Sequence, residues 1–293
     1  MTQILIHLLL GLMLATTYRS ADAVVDGVPL PESERLRYIV SYQGILTLGL
    51  PVEIAAATLL LRPGSERVDG SESRRAQLSV TTEPFPRMEA FYPLRFDYQS
   101  WLDPQLRRVS LISMRKQSGR LKRDLIWFDH RERQVRTYRM VDGGGSRGRA
   151  MPPARLHEVA GIDLSVPFEE RSSLPLSGEP VVDRMGMLYL LRSSHLEPGQ
   201  QLRIAVSNGK DLKAYRVVVE AREPIAFAGA TTTALRLLLR PQFDDGSRGY
   251  RVRLWLSDDE RALPLRFSSS KFGGVIELRL QAVDRVARRE ATR

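Results

Sequence analysis

Two adjacent carboxylates, Asp258 and Asp259, lie in LWLSDDERALPLRF (254–267) between two apolar runs. Paired carboxylates can act as a general acid and base when they face one cleft and their environments push their pKa values apart. They can equally shape a turn, because short acidic side chains accept hydrogen bonds from backbone N–H groups two residues on. Neighbours in a strand-to-strand connection point in different directions and stay solvated, and Pro264 fixes the start of the next run. The spacing therefore predicts a structural turn at Asp258 and Asp259, with catalysis the minority reading. That minority reading is an envelope hydrolase or glycan-processing enzyme drawing on Asp103, Asp258 or Asp259.

Other reactive patterns are weaker. GGSRG (144–148) matches the nucleophile-elbow spacing, but RAMPPAR follows it, and two prolines do not open the helix that an elbow requires. His130, His157 and His195 stand far apart with no metal-ligand spacing and read as surface or turn residues. There is no cysteine, hence no thiol nucleophile, thiolate metal site or disulfide. No phosphate-loop or dinucleotide fingerprint occurs, and no cofactor or metal is expected. Aromatic and charged clusters are better candidates for binding: FDYQSWLDP (96–104) and DLIWFDHR (124–131) place Tyr98, Trp101 and Trp127 in strand-like runs. Together with Tyr189, Arg192 and Trp255 they form the expected ligand-binding set, if the sheet curls to make a pocket.

The elements that must position these residues are strands. From residue 35 onward short runs alternate apolar and polar positions, as in RLRYIVSY, RVSLISMR, AYRVVVEA and VIELRL. In GYRVRLWL, Tyr250, Val252, Leu254 and Leu256 share one face, while Arg251, Arg253 and Trp255 share the other. Turn chemistry separates the runs: DPQL (103–106), EPGQ (197–200) as a type II turn, NGKD (208–211) as a type I′ hairpin, and FGG (272–274). About a dozen strands result, arranged as a curved antiparallel sheet, a half-barrel or open barrel. One helix is predicted within EPVVDRMGMLYLLRSSHL (179–196), with Asp183 as its N-cap. Such a lone helix covers or plugs a curved sheet. Residues 62–75 read as an exposed polar hairpin loop, and 142–181 as an irregular connector within a single domain spanning 24–283, followed by a basic tail at 284–293.

Four segments taken in order resemble a bacterial exported-protein family, domain of unknown function 3108. They are SERLRYIVSYQGI (33–45), FDYQSWLDPQL (96–106), the helix-turn-hairpin stretch 183–220, and 252–280 with its W-x-S-D-D, proline and glycine-turn pattern. The resemblance implies a β-rich protein of the periplasm or envelope and assigns no catalytic residue.

The leader and the charge fit that expectation. ILIHLLLGLMLA (4–15) is too short to span a bilayer comfortably, and Ala21-Asp22-Ala23 follows as a small-x-small cleavage pattern, the layout of a signal peptide over 1–23. Without cysteine the mature chain is not a lipoprotein, and no later apolar run is long enough to cross a membrane. Net charge is +10, but of 44 basic residues five are Lys and 39 are Arg, and the arginines are spread between acids and apolar residues rather than blocked. That distribution predicts a solvated surface, not a nucleic-acid interface. The expected role is a non-enzymatic binding or scaffold module of the periplasm. Its expected partner is a lipid, a glycan or an envelope protein.

Overall fold

The computed structural model describes residues 29–141, 151–176, 180–242, 251–271 and 273–284. The leader (1–23), GGSRG (144–148) and the tail beyond Asp284 lie outside them. Among these described residues fifteen strands form one antiparallel sheet that does not close. The first nine are β1 (Glu34–Gly44), β2 (Val52–Leu61), β3 (Glu66–Val68), β4 (Ser71–Thr81), β5 (Arg95–Leu102), β6 (Val109–Ser118), β7 (Arg120–Asp129), β8 (Gln134–Met140) and β9 (Phe168–Pro175). The remainder are β10 (Gln201–Ser207), β11 (Leu212–Phe227), β12 (Ala230–Pro241), β13 (Val252–Ser257), β14 (Pro264–Lys271) and β15 (Gly274–Asp284). Among the described residues three α-helices interrupt them: α1 (Pro86–Phe91), α2 (Ala154–Val159) and α3 (Arg184–Arg192).

The strand order explains the shape. One meander runs from β1 to β9 and a second from β10 to β15; they join where β15 pairs with β1, from Arg35↔Asp284 to Gly44↔Gly274. The free edges of the sheet, β9 and β10, are therefore neighbours in sequence, and the chain between them carries α3. Curling the sheet brings those edges together and leaves the connecting helix inside the concave face. Val181 and Val182 tie the connecting chain to both meanders: Val109 N–H of β6 donates to the Val181 carbonyl, and Val182 forms a parallel bridge with Val206 of β10.

Alternation sorts the faces as period two requires. Leu36, Tyr38, Leu59, Leu61, Ile112, Ile126, Val217, Val219, Leu237 and Leu254 pack into one core around α3. The helix is buried on every side from Met185 to Arg192. A nine-residue helix is marginal alone, so burial of Leu188, Leu190, Leu191 and its two methionines, each worth roughly 1.5–3 kcal/mol, is what holds it.

A second layer was not legible. The polar stretch 62–75 forms the β3–β4 hairpin, and the supposed connector 142–181 contains α2 and β9. Both fold over the convex face and bury Val68, Leu156, Ile162 and Phe168 against Trp101, Leu111, Leu125 and Trp127. His157 is buried there, its ring edge-on to Phe168 at 5.4 Å, rather than lying on the surface or in a turn. The β10–β11 turn also differs in type. Only Gly209 has positive φ, while the Asn208 side chain accepts from the Lys210 and Asp211 N–H groups, giving a four-residue connection instead of a two-residue type I′ hairpin.

Candidate functional site

The concave face changes character along its length. Antiparallel pairing places the β5–β6 and β13–β14 turns at one end, and the β1–β2, β4–β5, β6–β7 and β14–β15 connections at the other. Toward the first end the inward side chains are sealed: Ala76, Leu102, Ile112, Leu265 and Leu280 are buried. Further along the same strands, two residues on in four of them and six in β5, Leu78, Phe96, Met114, Phe267 and Leu278 are only partly covered. The inward apolar side chains are thus sealed at the helix end and partly exposed at the other.

Polar locks fix the helix in the sealed half. Asp183, fully buried, caps α3 by accepting from Gly186 N–H at 2.7 Å and from the Tyr98 hydroxyl at 2.6 Å. Burial pushes the Asp183 carboxyl above its usual range, although these hydrogen bonds pull the other way. At the helix end, Arg192 forms a buried ion pair with Glu34 of β1, its Nη2 lying 3.1 Å from Oε2. Its remaining donors reach the carbonyls of Ala262 at 3.0 Å and Arg261 at 3.2 Å in the β13–β14 turn. Burial disfavours the charged guanidinium, yet the Glu34 carboxylate outweighs it and holds the pKa above its usual value. The Tyr38 hydroxyl donates to the Pro264 carbonyl of the same turn.

That turn contains the paired carboxylates. Asp259 accepts from Ser257 Oγ at 2.6 Å and from the N–H groups of Arg261 and Ala262, while Ser257 Oγ accepts from Leu263 N–H. Asp258 points away to Arg222 at 2.8 Å. Both are exposed. Asp103 accepts from Arg107 and Arg108 N–H in its own turn. The three acids of the hydrolase reading thus each serve a separate turn or ion pair.

The six residues expected to bind ligand do not share a pocket. Tyr98, Tyr189 and Arg192 face the helix core, with Tyr98 and Arg192 in the locks just described. Trp101 and Trp127 lie under the convex second layer, where Trp101 Nε1 donates to Glu66 at 2.8 Å and Arg155 stacks on Trp127. Trp255 is buried on the opposite side of its strand from Leu254, donating to Glu223 and stacked under Arg266 at 4.7 Å. What the aromatic pattern missed is the row of neighbours that runs through Tyr98, from the helix lock to the partly exposed side chains. In register from β4 to β8 it reads Leu78, Tyr98, Met114, Asp124, Arg139. Arg139 holds Asp124 in a two-point pair, Nε–Oδ1 2.7 Å and Nη2–Oδ2 2.9 Å, so the apolar wall ends in a polar handle. Register between distant strands is the information that sequence alternation lacks.

Asp183→Asn tests the cap. Asparagine caps as well as aspartate but carries no charge to bury. Because the folded-state pKa of Asp183 is raised, the wild type binds more protons folded than unfolded, and its stability falls as pH rises upward from about 4. Denaturant titrations across pH should show that this slope is reduced in the variant, with stability at neutral pH equal or higher; an unchanged slope would assign it elsewhere.

The geometry defines a class: an open, curved antiparallel sheet wrapped on one helix, with inward side chains sealed at one end and partly exposed at the other. Residues 37–281 match the family described as "Protein of unknown function (DUF3108)", and the chain belongs to it. A solved structure similar in fold is a "Beta-barrel-like Protein of Domain of Unknown Function DUF1849 from Brucella abortus", 10% identical, covering 89% of this chain and 100% of that one with a TM-score of 0.50. No curated protein matches.

Proposed function

We propose that the protein is an exported, periplasmic binding module that holds a lipid-like envelope component, without catalysis, in the open half of its concave face. The observation that carries this reading is the change from sealed to partly exposed apolar side chains along β4, β5, β6, β14 and β15, ending at the Asp124–Arg139 pair. Apolar walls with a few convergent polar groups are the usual make-up of small-ligand sites. An acyl chain would lie along Leu78, Met114 and Phe267, with its polar head toward Arg139. The signal-peptide layout of 1–23 supports export. Arg–Glu ladders on the convex face, such as Arg236 with Glu220 and Arg266 with Glu277, argue against a free basic face for nucleic acid.

The test is purification from the envelope fraction followed by mass spectrometry of bound lipid, with a fluorescent fatty-acid probe in parallel. Met114→Trp, which fills the wall, is expected to weaken probe binding about tenfold, as loss of one well-buried apolar contact does. An unchanged affinity would remove the concave site.

A further inference from the structure

The tip between β1 and β2 is built inside out. In GILTLGLPV (44–52), Ile45, Leu46, Leu48 and Leu50 are between 66% and 92% exposed. The polar side chain does the opposite: Thr47 turns back, its Oγ1 accepting from Gly44 N–H at 3.1 Å. The backbone is well satisfied, with Gly49 N–H donating to the Gly44 carbonyl, Leu50 N–H to that of Thr47, and the Gln43 amide to that of Gly49. Leu48 sits at φ 51°, a left-handed conformation that a bulky residue adopts at a cost. The tip is thus an ordered platform that presents leucines to the outside. Scattered apolar residues need no explanation, but a contiguous exposed patch marks an interaction surface.

The neighbouring tips agree. In sheet order the connections at this end run β14–β15, β1–β2, β4–β5, β6–β7. Val275 on the first and Phe91 and Tyr92 on the third are also exposed. The fourth is basic: Lys116 faces Lys122 and Arg115 faces Arg123 directly across the hairpin, a like-charge arrangement that costs stability in isolation. Lys116 reaches back over the Tyr92 ring at 5.8 Å, joining the basic and apolar parts. On these four tips, among the described residues, exposed Glu53 and Glu83 stand beside exposed Arg87, Lys116, Arg120 and Lys122.

We propose that this end docks on an anionic lipid bilayer, with the 45–52 tip and Phe91 in the outer acyl region and the Lys116–Lys122 hairpin on the headgroups. Apolar side chains buried about 5–10 Å into the interface, next to basic residues, are the standard composition of peripheral membrane binding. Charge complementarity selects the lipid over a second copy of the chain, whose own basic hairpin would be brought into the same interface. The proposal stands apart from the ligand site, since it needs no occupant in the concave face.

Flotation of the mature chain with vesicles of phosphatidylethanolamine and phosphatidylglycerol tests it. Wild type is expected to float with these vesicles at low salt and hardly at all with phosphatidylcholine. Leu46→Ser/Leu50→Ser should lose at least about tenfold in affinity through lost apolar burial. Lys116→Glu/Lys122→Glu should lose roughly tenfold or more, and high salt should reproduce that loss. Leu48→Asn, which suits the left-handed site, should keep or raise the melting temperature while binding vesicles less well. Wild type that stays in the unbound fraction, or tip variants that float as wild type does, would overturn the proposal. So would a concentration-dependent dimer abolished by Leu46→Ser/Leu50→Ser without vesicle binding, which would make the tip a contact between copies.

Discussion

Arg192→Ala should lower the unfolding free energy by about 3–5 kcal/mol, the cost of leaving a buried partner charge uncompensated. Glu34 would remain in the core beside Tyr38 and Tyr189, and the carbonyls of Arg261 and Ala262 would lose their donor. The double variant Glu34→Gln/Arg192→Met should recover much of this loss, because replacing both charges by groups of similar size removes the desolvation cost along with the attraction. Equilibrium urea unfolding of the three proteins checks both statements. A double variant as unstable as the single one would mean that the carbonyl contacts, not the charge, dominate. Arg192 touches the helix, the first strand and the β13–β14 turn at once. The turn expected at Asp258 and Asp259 supplies two carbonyls to one arginine, and Asp259 shapes the loop that presents them.

Gly209→Val is the second large effect. At φ +83° a side chain is strained, and a Cβ there would come within 2.6 Å of Ile126 and 2.7 Å of Thr137 Oγ1. The backbone penalty of one to two kcal/mol adds to overpacking of similar size, giving a loss of roughly 2–5 kcal/mol. The damage has a location. Thr137 Oγ1 donates to the Gly209 carbonyl at 2.7 Å, which fastens the β10–β11 turn inside β7 and β8. Amide exchange in β10 should therefore speed up more than in β1 or β15. Uniform acceleration would show that the turn does not hold that edge.

Much of the sheet could be read from alternation. Leu254 and Leu256 face inward with Val252, opposite Arg253 and Trp255, as the period requires, and Asp183 caps the helix where the pattern put it. Fifteen strands replace about a dozen, because the short β3 and the β9 segment carry little alternation. The convex layer escaped for the same reason: regular alternation is absent from 154–168, and its few apolar residues bury Trp101 and Trp127 only once the chain folds back. Glu34 reads as a polar flank of β1, yet its partner lies 158 positions away. Nothing local encodes such a pair. The open wall was equally hidden, since Leu78 and Ala76 belong to one face and only the length of α3 decides which of them is covered.

The β15–β1 seam sets an order in time. Among the described residues, the first strand is completed by the last, over a register from Arg35↔Asp284 to Gly44↔Gly274. Until residue 284 has left the ribosome, or has crossed a membrane if the chain is exported, β1 has an unpaired edge with Leu36, Tyr38 and Val40 along it. Long-range pairing of this kind is slow to form and exposes strands to wrong partners meanwhile. The β1 edge thus has a built-in waiting period during synthesis, ended by the arrival of β15.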